Sequence, residues 1–283
     1  MAREMIDVII LNRNLGEVCD ALVEKLSAHL NKDLDQIIVV DSGSETELKS
    51  RHTSVGLDDK ETRQHGLRFG RGMNLGLKYR RNLESINPWV LLLPVDTEII
   101  KWDLYKFLEN IPSEHKIAAI KPTSQDSEYL RILGKNDFRY GWNFEEGAWL
   151  ISSNFLDFHS KNFADSSFFD ESNFRGYLTS LELSFRAYIN GYGVGITNSL
   201  IVFENETHLL ERSDLIRTEP IGENQRLLLT EGLNWLQKKY QIQDAWDFAQ
   251  LVRLTFDQFM RENPHLSAQT IINHGSQNEE QTI

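Results

Sequence analysis

"WVLLLPVDTEI" (89–99) drives five apolar residues toward a carboxylate at Asp96 and then resumes with apolar residues at Ile99. The apolar residues do not alternate with polar ones, so the stretch reads as a strand buried on both faces. An acid at its end would stand on the rim of a sheet. Two other stretches follow the same plan: "DVIIL" (7–11) runs into "NRNLGE", and "QIIVV" (36–40) into "DSGSET". Between them, residues 17–30 set Cys19, Leu22, Leu26 and Leu30 at helical spacing. Buried strands joined by an amphipathic helix predict an α/β fold, an open and mostly parallel sheet flanked by helices. Right-handed crossovers then bring the strands' carboxyl ends to one edge, where ligands bind in such sheets. Asn12 and Asn14, Asp41 and Asp96 are the polar residues at those three ends.

The remaining pattern extends this plan. Residues 42–66 read as a loop with one short helix, and a helix is predicted from about Met73. Strands are expected at 116–120 and, lining a cleft, within 138–152. Residues 178–193 read as a helix with Leu181, Phe185 and Tyr188 on one face and a stop at Gly191. "GVGIT" and "LIVFE" follow as strands. After about residue 213 two long amphipathic helices appear. The chain therefore divides into a domain over 1–213, a helical C-terminal extension over 214–267 and a frayed tail over 268–283. The apolar faces of the extension have three possible uses: packing on the domain, forming a homo-oligomer, or docking a partner.

Bulk properties exclude several classes. The net charge of −12 argues against a nucleic-acid binder, although "RFGR" (68–71) and "KYRR" (78–81) form basic clusters suited to a local anion. No apolar run approaches the roughly 18 residues of a transmembrane segment. Asp7 interrupts what would be the apolar region of a leader. Cys19 is the single cysteine, which rules out an intrachain disulfide and agrees with a cytoplasmic protein. "NET" (205–207) fits a glycosylation acceptor and reads as coincidence in that compartment. No H-E-x-x-H, P-loop or G-x-S-x-G occurs, and "GLRFGRG" (66–72) lacks the order of a dinucleotide fingerprint.

"DVIILNRN", "IIVVDSGSETE", "GRGMNLGLKY" and "VLLLPVDTEI", followed by "GAWLIS", "FFDESNF" and "LELSFRAYINGYGV", resemble the successive blocks of family 2 glycosyltransferases. The resemblance spans about residues 5–205. It implies the GT-A fold and transfer of a sugar, with inversion, from a nucleotide-diphosphate donor to an acceptor hydroxyl. It also implies Mg²⁺ or Mn²⁺ on the diphosphate and a carboxylate that takes the acceptor's proton. Residue by residue, Asp41 matches the acid that contacts the nucleotide base, with Asn12 at the neighbouring strand end and Gly43 and Ser44 in the turn beneath. Asn74 matches the family's donor-side asparagine, Arg71 lies within reach of a phosphate, and Asp96 matches the last acid of the metal motif.

Two departures stand out. The metal motif reads "PVD", so Asp96 lacks a companion two residues upstream; Glu98 and His208 are the candidates to complete the shell. Where the family carries a Glu-Asp pair, this chain has Thr179 and Ser180, neither of which is a base near neutral pH. Three readings stay open: Glu182 is the catalytic base, Asp170 or Glu171 is drawn in, or the chain binds sugar nucleotides or glycans without transferring. Trp142 and Trp149 are candidates both for an acceptor wall and for the core. A sugar-phosphate nucleotidyltransferase would need a glycine-rich basic loop after the first strand, which "NRNLGE" does not supply.

Overall fold

The computed structural model describes residues 5–83, 86–112, 115–134, 137–163, 167–205, 207 and 211–269. Four strands form a parallel half-sheet: β1 (Ile6–Asn12), β2 (Ile37–Asp41), β3 (Thr53–Gly56) and β4 (Trp89–Pro94). A second half contains β5 (Thr97–Trp102), β6 (Ile117–Ser124), β7 (Phe138–Tyr140), β8 (Trp149–Ser152) and β9 (Gly193–Glu204). The order is β3-β2-β1-β4-β8-β6-β9-β5, with β7 also on β9. β8 joins the halves, running antiparallel to both β4 and β6, while β9 runs parallel to β6 and antiparallel to β5 and β7.

Helices α1 (Gly16–Ser27), α2 (Lys60–His65), α3 (Arg68–Arg80), α4 (Leu104–Leu108), α5 (Tyr129–Ile132), α6 (Ser153–Asn162) and α7 (Thr179–Ile189) accompany the sheet. Then come α8 (Ser213–Ile216), α9 (Ile221–Tyr240) and α10 (Ala245–Glu262). Among the described residues no helix is long and apolar enough to cross a membrane.

β1 and β4 are apolar on both faces because both faces are covered. Only Leu11 in β1 and Pro94 in β4 keep partial exposure. Besides Asn12 at its end, Asp7 is the polar exception within β1: it is fully buried, and Arg80 Nε meets its carboxylate at 2.5 Å while Asn87 Nδ2 donates to it at 2.8 Å.

Three departures from the sequence expectation bear on the sheet and its edge. β3 lies within what reads as loop; it is an edge strand, half-exposed along its length, so it carries no apolar run. α3 begins at Arg68 rather than near Met73, because the Ser42 hydroxyl takes the Leu67 N–H at 2.6 Å and anchors the helix start. "GVGIT" and "LIVFE" belong to one strand, β9. Its pairing with β6 jumps from Pro122↔Thr197 to Thr123↔Ile201, and the polar residues Asn198 and Ser199 fill that bulge.

The C-terminal helices fold back on their own domain. Leu181 of α7 packs with Trp235, Leu236, Phe248 and Val252 in a second apolar cluster. Phe256 of α10 meets Tyr188 of α7 edge-on and Phe259 packs tilted against it, and both join the main core. Burying each such aromatic contributes about 1.5–3 kcal/mol.

Candidate functional site

The carboxyl ends of β1 and β2 bring Asn12 and Asp41 opposite each other in register, both buried. One Asp41 oxygen accepts from the Ser44 N–H at 3.2 Å, and Lys49 Nζ stands 3.9 Å from it. The other Asp41 oxygen and both polar atoms of the Asn12 amide have no partner among the described residues. Buried polar atoms without partners are rare in folded proteins, and at a sheet edge a water, an ion or a ligand can satisfy them. Gly43 turns the chain at φ +75°, where a Cβ would fall 2.4 Å from the Thr62 carbonyl oxygen.

Asn14, at φ +53°, ties this end together. Its N–H meets Ser44 Oγ at 2.8 Å, its side-chain oxygen accepts from the Glu45 N–H at 2.7 Å, and its amide donates to the Leu215 carbonyl at 2.6 Å. α8 therefore borders the same edge. Arg71 is half-buried on α3 and makes no hydrogen bond or ion pair among the described residues. Asn74 is occupied: it donates to the Phe169 carbonyl at 2.8 Å and to Glu171, and accepts the Phe169 N–H at 2.9 Å. It positions the 167–171 loop.

At the other end of the edge, Asp96 lies buried in the turn between β4 and β5, its carbonyl accepting the Asn205 N–H at 3.0 Å. The Thr97↔Glu204 register sets Glu204 beside it. Burial raises the Glu204 pKa; the charge of Lys121 opposes the shift and that of Asp96 adds to it. Thr97 Oγ1, between these acids in sequence and register, is buried without a partner among the described residues. Glu98 accepts from Asn205 Nδ2 at 3.0 Å. A cavity of about 280 Å³ separates this turn from α1, lined by Val18, Leu22, Lys25, Val95, Asp96 and Glu98. His208 lies outside the described residues.

Three residues without a role in the sequence expectation complete this end. Lys121 of β6 is buried and donates to the Glu146 carbonyl at 2.7 Å, and burial lowers its pKa. Gly147 adopts φ +112°, and a Cβ there would fall 1.8 Å from Glu204 Oε1, so the β7–β8 loop closes onto Glu204 only as glycine. The Ala148 N–H completes that contact at 3.2 Å. Glu146 itself turns its carboxylate onto the start of α7, where Ser180 donates through its N–H at 2.9 Å and through its hydroxyl at 2.7 Å. Glu146 is an exposed residue as a whole, but its carboxylate is turned against α7, and desolvation there raises the pKa against the bonds from Ser180.

Glu182 is committed elsewhere. One oxygen accepts from Arg186 Nε at 2.7 Å; the other accepts from Lys239 Nζ at 3.0 Å and Tyr240 Oη at 2.9 Å. Burial opposes ionisation, yet the charges of Arg186 and Lys239 hold its pKa below the ordinary carboxylate range. These contacts tie α7 to α9 and leave Glu182 no oxygen without a charged donor. Asp170 is drawn into the same tie by Lys239 at 2.8 Å and Trp235 at 3.1 Å, and Glu171 accepts from Asn74 and Ser167. Trp149 is a core residue with its Nε1 on Ser180 Oγ at 3.2 Å; Trp142 is half-buried between the two apolar clusters.

Glu204 carried a usable signal, since "LIVFE" ends a buried strand in an acid as "QIIVVD" does. Lys121 carried a weaker one, a lysine at the end of "IAAI". Glu146 carried none: it sits in an irregular loop, and its partner is 34 positions away.

An open sheet of this order with acids along its carboxyl edge is the GT-A glycosyltransferase fold. The structure of GalNAc-T7 with UDP, GalNAc and Mn²⁺ matches over 93% of this chain and 57% of its own, at 11% identity and a TM-score of 0.53. This chain thus spans a little over half the length of the GalNAc-T7 chain. Glucosyl-3-phosphoglycerate synthase from Mycobacterium tuberculosis, in complex with Mg²⁺ and UDP, matches over 86% of this chain and 82% of that one, at 13% identity and a TM-score of 0.46. The mannosyltransferase PcManGT from Pyrobaculum calidifontis, in complex with GDP-Man and Mn²⁺, matches over 95% and 85%, at 11% identity and 0.47. The fold comparison rests on the first of these. No family model and no curated protein matches the chain.

Proposed function

We propose that the protein is a family 2-like glycosyltransferase that moves a sugar, with inversion, from a nucleotide-diphosphate donor to an acceptor hydroxyl. The observation that carries this reading is the two-ended sheet edge. Asn12 and Asp41 offer unpaired buried polar atoms at one end, and Asp96 and Glu204 place two acids at the other. Asp41 and Asn12 receive the nucleotide on the turn of Gly43. Arg71 is the cation within reach of the diphosphate, and Asn74 contributes by holding the 167–171 loop.

Asp96 and Glu204 suit a divalent cation, because carboxylate oxygens are the ligands Mg²⁺ and Mn²⁺ prefer and the two acids lie close enough for the charge of Asp96 to raise the Glu204 pKa. Glu98 and His208 are the further candidates to hold it. Bound there, Mg²⁺ or Mn²⁺ would neutralise the departing diphosphate. The lone buried Cys19 fits a cytoplasmic setting.

Calorimetric titration with UDP, GDP and dTDP, with and without Mn²⁺, tests the reading. Binding of at least one nucleotide is expected, strengthened by Mn²⁺, with the metal-dependent gain lost in Asp96→Ala. No binding at millimolar nucleotide, or an unaltered Asp96→Ala protein, refutes it. The ion-paired state of Glu182 favours a second reading, a sugar-nucleotide or glycan binder without transfer; release of nucleoside diphosphate from a sugar nucleotide excludes it.

A further inference from the structure

We infer that Glu146 is the catalytic base, brought from the β7–β8 loop onto the amino end of α7 to take the acceptor's proton; this rests on the transfer reading above. Ser180 stands where the resemblance expects an acid, and it holds the Glu146 carboxylate at 2.7 Å through its hydroxyl and at 2.9 and 3.2 Å through its N–H. A carboxylate has about four acceptor positions, and the two donors of Ser180 leave room for an incoming hydroxyl. Glu146 lies in an exposed loop position, whereas Glu182 is buried under Arg186, Lys239 and Tyr240.

The backbone on both sides of Glu146 is fixed. Its carbonyl accepts from Lys121, the Glu145 carbonyl accepts from Ser180 Oγ at 3.2 Å, and the Ala148 N–H reaches Glu204. A connected path therefore runs from Ser180 through Glu146 and Gly147 to Glu204, beside Asp96. The base and the diphosphate end share one rigid loop, which is what holding a reacting pair in line requires. In the step, the acceptor oxygen bonds to the sugar's anomeric carbon and its proton passes to the Glu146 carboxylate. The bond from that carbon to the diphosphate breaks, and its electron pair leaves on the phosphate oxygen.

Glu146→Gln separates this role from helix capping, since the glutamine carbonyl still accepts from Ser180. The probes are UDP-glucose, UDP-galactose, UDP-GlcNAc and GDP-mannose with Mn²⁺, water serving as acceptor and released UDP or GDP as the readout. The variant is expected to lose about 10²- to 10⁴-fold in kcat, with KM, nucleotide affinity and Tm close to those of the unaltered protein. A Glu146→Gln protein at full kcat overturns the inference, as does loss of release in Glu182→Gln alone. An unaltered protein that binds UDP or GDP but releases none from any of the four donors also overturns it, leaving the nucleotide site standing. Absence of nucleotide binding refutes the transferase reading itself.

Discussion

Asp7 shows how differently residues reveal themselves. In the sequence it only breaks an apolar run; in the structure it is a buried charge neutralised by Arg80, 73 positions later. Arg80→Met would strand that carboxylate, and breaking a buried pair on one side costs about 3–5 kcal/mol. Urea unfolding should register a loss of that size, and replacing Asp7 and Arg80 together with apolar residues should recover much of it. Asp41 and Asp96 were legible because a strand's end can be read from the strand. Glu146 was not and Lys121 only faintly so, since their meaning lies in partners that only the fold brings near. Glu182 was legible as an acid near the family's base position, yet besides Arg186 of its own helix it is held by Lys239 and Tyr240 of α9, which no local pattern connects to α7.

Elements with strong periodicity were the readable ones. α1, α7, α9 and α10 follow from apolar spacing, while β3 stayed hidden because an edge strand needs no continuous apolar run. The docking of α9 rests on charge as well as on apolar contact. Burial opposes ionisation of Glu219, yet hydrogen bonds from Thr218 and Arg175 and the charge of Arg68 bring its pKa down to about 2. Glu182 is depressed likewise. A depressed carboxylate adds stability that is full above its unfolded pKa and is lost as pH falls through the folded one. Thermal melts should therefore hold steady from pH 7 to about 5 and drop as pH falls from about 4.5 toward 2. Glu219→Gln should melt lower at pH 7 and show a flatter decline; a decline identical to that of the unaltered protein would deny the ion pairs this role.

Across the whole molecule, the open sheet with its acid-bearing edge followed from three strand ends, whereas the helical extension could only be counted, not placed. Its placement has a measurable result. A chain ending at residue 215 would uncover Leu181 and Tyr188 and lose Phe256 and Phe259. Light scattering and near-ultraviolet circular dichroism should find it aggregated or loosely packed, not a well-ordered monomer. A sharp native spectrum would mean that α9 and α10 serve something other than this core.

β9 carries a constraint that its neighbours do not. It pairs with β5, β6 and β7 in turn and ends at Glu204. Successive strand residues point to opposite sides, so one residue added or removed between Ile201 and Glu204 would swing that acid to the far side of the sheet from its partner Thr97. Spare length can be absorbed in the loops and even in the bulge at Asn198 and Ser199. Beyond the bulge the strand acts as a measuring rod, and its parity decides which face of the sheet Glu204 joins.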